Sequence, residues 1–131
     1  MDDYAGTGRT NTFRVKDAAA FAAFCERFEL NEFARDAGVG FVCDGDHGEP
    51  AIEVLVEDEG DEAYYEKRNW ILELADILDD ATTCVFMHAG YGEEAGMIGY
   101  AVEVAASVGE VRRVDLADIY DGREREEVSR A

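Results

Sequence analysis

Cysteine and histidine recur together in this chain: Cys43 is followed by His47 and Cys84 by His88, the same interval twice. Two thiolates with two imidazoles form a tetrahedral zinc set, and a thiol beside an imidazole is the pair from which a nucleophilic hydrolase or transferase is built. The spacing argues against both. Cys84 and His88 fall in a stretch with strand character, where residues four apart on one face are separated by about 13 Å at a rise of roughly 3.3 Å per residue. Neither pair has the short intervals of known zinc modules, and no nucleophile elbow or helix start frames Cys84. A site would require a strand end to converge with the loop Asp44 to Glu49. The expectation is no metal ligand, no cofactor and no catalytic set.

Other patterns fail on chemistry. Asp44 and Asp46 match the first acids of a calcium loop, but Glu49 stands where that loop needs glycine and Leu55 where it needs a bidentate glutamate. Hairpin turns use the same Asp and Gly residues. The glycines around Gly6 and Gly8, and around Gly90 and Gly92, lack the lysine and helix start of a phosphate loop. With 31 acids in 131 residues, neighbouring carboxylate pairs arise by chance.

The hydrophobic pattern sets out the elements that would position these residues. Residues 1–9 read as a polar, glycine-containing lead-in, followed by a short strand at Thr10 to Val15. Asp17 caps a helix on which Phe21, Phe24, Cys25 and Phe28 form one stripe at i, i+3, i+4 and i+7. Strands follow at Leu30 to Ala34, Val39 to Cys43 and Ala51 to Val56, arranged as a meander. The acidic run from Glu57 to Glu62 then feeds a second helix with an acid-rich first turn, a favourable place for carboxylates, and with Trp70, Ile71, Leu74, Ile77 and Leu78 on its apolar stripe. Strands at Thr82 to His88, Met97 to Ala106 and Val111 to Val114 complete the pattern, before a helical turn at Leu116 to Tyr120 and a charged tail at 121–131. The predicted class is α+β: one domain over residues 10–120, a mostly antiparallel sheet of six or seven strands with two helices on one face, in the order β-α-βββ-α-βββ. The repeated helix-plus-three-strands unit is compatible with an internal duplication.

Composition bounds the function. Apolar residues make up 47%, enough for a core, while the net charge is −19 and Lys16 and Lys67 are the only lysines. So negative a surface repels phosphate, which argues against direct nucleic-acid binding and against docking on an anionic membrane. Three widely spaced cysteines suit reduced thiols. With no leader-like opening and no long apolar run, the expected location is the cytoplasm.

Two readings account for the acidity. In molar salt the screening length shrinks to about 3 Å, and a carboxylate surface with few lysines keeps a salt-adapted protein hydrated. Alternatively the acids imitate the array of duplex DNA, one charge per about 1.7 Å of axis, and occupy a basic protein partner. The candidate contact residues for that partner are Glu57, Asp58, Glu59, Asp61, Glu62, Glu66, Glu73, Asp76, Asp79 and Asp80, with Glu124, Glu126 and Glu127 of the tail. Phe33, Tyr64 and Tyr65 are candidates for an exposed aromatic patch.

Three segments also carry a resemblance: Thr12 to Asp17 before the alanine- and phenylalanine-rich helix, Gly99-Tyr100-Ala101-Val102, and Val114 to Tyr120. In these the chain resembles small acidic proteins carried by phages and plasmids. That setting implies anti-restriction or anti-CRISPR activity, DNA mimicry included.

Overall fold

The computed structural model of the chain describes residues 4–44, 48–59, 62–93, 96–116 and 118, with the main chain alone for 54–59 and 62–64. The elements run β1 (Ala5–Thr10), α1 (Ala18–Arg27), β2 (Asn31–Arg35), β3 (Gly38–Cys43), β4 (Glu53–Glu59), β5 (Glu62–Lys67), α2 (Trp70–Ile77), β6 (Thr83–Gly92), β7 (Gly96–Ala105) and β8 (Gly109–Asp115). Six strands form one sheet in the order β2-β3-β1-β6-β7-β8, and β4 and β5 form a separate two-stranded sheet. Every neighbouring pair is antiparallel. The protein is thus α+β as predicted, with one strand more than the expected order.

Both helices lie on one face of the large sheet. The stripe of α1 is buried at Phe21, Phe24, Cys25 and Phe28, and Leu74, Ala75 and Leu78 come in from α2. Phe24 meets Phe41 of β3 at 6.1 Å between ring centroids, and Trp70 sits edge-on to both Phe41 and Phe86 at 6.0 and 5.3 Å. These rings join the two helices to β3 and β6. Each buried phenylalanine contributes about 2 to 3 kcal/mol by apolar area, an upper bound because unfolded chains already bury some surface.

The helix ends follow from local chemistry. Asp17 Oδ1 accepts the amide of Ala19 at 2.9 Å, as its position predicted. At the other end of α1, Glu29 adopts φ 58°, and the Leu30 amide reaches back to the Cys25 carbonyl at 2.8 Å. That is a Schellman closure with glutamate where glycine is favoured. Asn69 Oδ1 accepts from Ile71 and Leu72 at 3.0 and 3.3 Å and starts α2.

Three expectations are corrected. Residues 5–9 belong to β1, which lies inside the sheet between β3 and β6. Glycines that suggested a lead-in serve close approach there: a Cβ at Gly8 would collide with the Gly48 carbonyl oxygen and the Phe86 ring. The predicted meander is not formed, because β4 leaves the large sheet to pair with β5. The second helix is not entered from the acidic run. Residues 62–67 are a strand, α2 begins at Trp70, and its first turn holds a single acid, Glu73. The helix-plus-three-strands unit consequently does not repeat. The charged tail at 121–131 lies outside the described residues.

Candidate functional site

His88 lies on the inner face of β6, 3% exposed, in line with Cys84 and Phe86. Register places Cys43, Gly8, His88, Tyr100 and Asp115 in one row across β3, β1, β6, β7 and β8. Gly8 has no side chain, so the loop before β4 crosses above it, and His88 Nδ1 meets the Gly48 carbonyl oxygen at 3.0 Å. A carbonyl only accepts, so Nδ1 carries the proton and Nε2 is left to accept from the Tyr4 hydroxyl, its other partner. Tyr4 folds back over β6 where Gly90 leaves room; a Cβ at Gly90 would run into the tyrosine hydroxyl. The Tyr4 and Tyr100 rings flank the imidazole at 5.9 and 5.2 Å.

Tyr100 forms the outer part of the cluster. Its hydroxyl donates to Glu49 Oε2 at 2.5 Å, and the Arg113 guanidinium lies 5.0 Å from its ring centroid. Burial first, and then the Glu49 carboxylate, push the Tyr100 hydroxyl well above the ordinary tyrosine range.

This arrangement places one acceptor nitrogen beside one hydroxyl, the beginning of a nucleophile-base-orienter chain. The chain is closed. The Tyr4 hydroxyl is turned against the sheet at Gly90, and both imidazole nitrogens are engaged within the protein. The cluster therefore anchors the strand start and the loop at residues 48–50 to the sheet, and it has no lone pair on His88 directed outward. Cys84 lies one strand face along from His88, and Cys43 lies two strand spacings across, about 9.6 Å. Burial pushes the Cys25 and Cys43 thiols up to about 12, and Cys84 further still. Such thiols are protonated and poorly nucleophilic. The described residues contain no cluster of metal-ligating side chains, and His47 lies outside them.

The acids named as partner contacts separate into three groups. Glu57, Asp58 and Glu59 lie on β4 and Glu62 and Glu66 on β5, while Asp61 falls outside the described residues. The hairpin aligns Glu59 with Glu62 and Glu53 with Lys67, and the Arg68 amide bonds to the Ile52 carbonyl at 2.9 Å below it. Asp76 and Asp80 are exposed on and just beyond α2, with Lys16 at 4.0 Å from Asp80. Asp79 turns inward on its own loop, where Oδ1 accepts from the Ala81 amide at 2.9 Å.

Glu73 differs from the rest. It receives Arg68 through two bonds of 2.8 Å and Arg27 Nε at 3.0 Å, so its carboxylate ties α1, α2 and the base of the hairpin together. Its position on the helix gave no sign of this, because Arg27 is remote in sequence. Of the aromatic candidates, Tyr65 is 57% exposed, whereas Phe33 is half-buried between the guanidinium groups of Arg9 and Arg35, at 5.8 and 5.6 Å. The sequence reading missed Tyr4, placed in a lead-in, and Tyr100 with Glu49. The alternation of Cys84, Phe86 and His88 was the signal that the histidine points into the core.

Among the described residues, no helix is long and apolar enough to cross a membrane. The fold defines an α+β protein with a half-covered antiparallel sheet and an acidic hairpin. No family model, curated protein or solved structure matches this chain.

Proposed function

We propose that this chain is an acidic protein-binding module that occupies the basic groove of a nucleic-acid-binding partner, with the β4–β5 hairpin as its main contact. The supporting observation is the hairpin itself. Residues 53–67 carry seven acids and one lysine in sequence, and among the described residues β4 and β5 pair with one another as a two-stranded sheet separate from the large one. Glu59 and Glu62 are register partners in the ribbon, and like charges at directly opposed positions oppose pairing. A basic surface reverses the sign of that effect. The resemblance to small acidic proteins of phages and plasmids fits a mobile-element inhibitor, with a restriction or CRISPR nuclease as the partner class.

The test is competition. Proteins retained on a double-stranded DNA resin are challenged with the purified chain at physiological salt. Release of a basic DNA-binding protein is expected, weakening as salt rises, and release should be lost when Glu57, Glu59, Glu62 and Glu66 are changed together to Gln. If the resin releases nothing, or releases the same proteins with the substituted hairpin, the proposal is wrong.

A second reading, salt adaptation, draws on the other exposed acids. Glu26 on α1, Glu32 on β2, Asp36 in the following turn, Asp76 on α2 and Glu110 on β8 lie on several sides of the molecule. Under this reading the fold is lost in dilute buffer and restored by molar potassium chloride. Cooperative melting at low ionic strength would remove it.

A further inference from the structure

The helices cover one face of the six-stranded sheet, and strand alternation defines the residues on the other. Arg9, Met87, Ala101 and Val114 form one row across β1, β6, β7 and β8. Thr7, Ala89 and Gly99 form the next, and Ala5, Tyr91 and Met97 the one beyond. Leu116 joins this face: its amide bonds to the Gly99 carbonyl at 2.7 Å, and its side chain would meet a Cβ placed on Gly99. Met87, Tyr91, Met97 and Val114 are 51, 59, 77 and 54% exposed. A contiguous apolar band of this kind is unusual on an isolated protein surface.

The charge on this face is opposite to that of the chain. The acids of the six strands are Glu32, Glu103, Glu110 and Asp115. Glu32, Glu110 and Asp115 pair across the sheet with Phe41, Val104 and Tyr100, all on the helix-covered side. Only Glu103 belongs to the open face, 3.7 Å from Arg112. Against it stand Arg9, Arg35 and Arg112, all exposed. Among the described strand residues, a protein of net charge −19 thus has one sheet face with more arginines than carboxylates.

We infer that this open sheet face is a self-association surface, on which two copies of the chain pack sheet against sheet. Scarcity of acid on these strands selects the second copy as occupant. Approach by a carboxylate-rich side sets acid against acid, whereas two copies of this face bring apolar side chains together with few carboxylates between them, leaving only the net repulsion of two acidic chains for salt to screen. Area agrees. Six strands at about 4.8 Å spacing give a width of about 24 Å, and strands of roughly 20 to 33 Å give a face on the order of 600 Å², close to the ~800 Å² per partner of a standard interface. Alanine, glycine and threonine in the middle rows permit the close sheet-to-sheet approach of about 10 Å, with Met87, Tyr91 and Met97 as the interdigitating side chains. The acidic hairpins, outside this sheet, stay available to a partner.

Sedimentation velocity of the intact chain, in physiological and in molar potassium chloride, tests the inference. Twice the chain mass is expected, with tighter association at the higher salt. Met87→Glu and Tyr91→Glu should each weaken the dimer at least tenfold, whereas Leu72→Glu, at an exposed position on α2, should leave it unchanged. Far-ultraviolet dichroism checks each fold, and Met87→Ser or Tyr91→Thr replaces any variant that loses it. A monomer at both salts and high micromolar concentration overturns the inference. So does a dimer that survives both sheet-face substitutions, or one that Leu72→Glu disrupts.

Discussion

Cys43 and His88 face inward in one row of the sheet, on either side of Gly8, which pairs with both. The intervening strand separates their backbones by about 9.6 Å, both ring nitrogens of His88 are engaged by Tyr4 and Gly48, and the vacant side-chain position at Gly8 receives the loop carbonyl that binds His88. Gly8→Ala should therefore act at two places, driving a methyl into the Gly48 carbonyl and the Phe86 ring. The expected loss is about 2 to 3 kcal/mol in urea unfolding. An unchanged midpoint would mean that the loop does not sit on this glycine.

Tyr4 and His88 supply a second test. Tyr4→Phe keeps the ring stacked on the imidazole and removes the hydroxyl that Nε2 accepts from. A buried acceptor without a donor costs about 1 to 2 kcal/mol. The His88 ring resonances should also shift in the nuclear magnetic resonance spectrum. Equal stability with unshifted resonances would remove the bond from the account.

Glu29 occupies a left-handed position with a side chain, and its carboxylate lies at the negative end of α1. Glu29→Gly removes both penalties and should raise stability by about 1 kcal/mol. Asn69→Ala takes the opposite direction. Two amides at the start of α2 lose their acceptor, for a loss of about 1 kcal/mol. Thermal melts of the two variants should move apart.

The buried thiols predict alkaline sensitivity. Cys25 and Cys43 shift from 9.0 to about 12 on folding, so the native state holds protons that the unfolded chain releases. Their contribution is complete below pH 9 and falls as pH rises from 9 toward 12, because the unfolded state then binds fewer protons. Melting temperature should decline across that window. Below it, in the folded protein, the thiols should resist an aromatic disulfide reagent, and fast labelling would contradict their burial.

Glu59 opposite Glu62 makes the hairpin sensitive to salt. Glu59→Lys replaces repulsion with attraction and should slow amide exchange in β4 and β5 at low ionic strength, by an amount equivalent to about 0.5 to 1 kcal/mol. Molar salt should erase the difference. A difference that persists in molar salt would point to packing rather than charge.

Local pattern alone identified α1, its Asp17 cap, the apolar stripe of α2 and the three C-terminal strands, because each rests on periodicity within a few residues. It assigned the α+β class for the same reason. It misplaced β1 and β5. Glycine and acidic residues are poor strand formers in isolation, and those strands exist because Gly8 admits a loop and because residues 53–67 pair as a ribbon. Glu73 looked like one more solvated acid until Arg27 arrived from another helix.

The repeated Cys-x-x-x-His pattern shows the same boundary. Its residues fixed what chemistry was available, and strand geometry alone argued that Cys84 and His88 do not chelate together. Only the tertiary structure decided what His88 does, since Tyr4 and Gly48 reach it from 84 and 40 positions away. The net charge of −19 was likewise set by composition. Where acids are sparse among the described strand residues, on the open face of the sheet, depends on which strands are neighbours and which way each side chain points, and neither is encoded at short range.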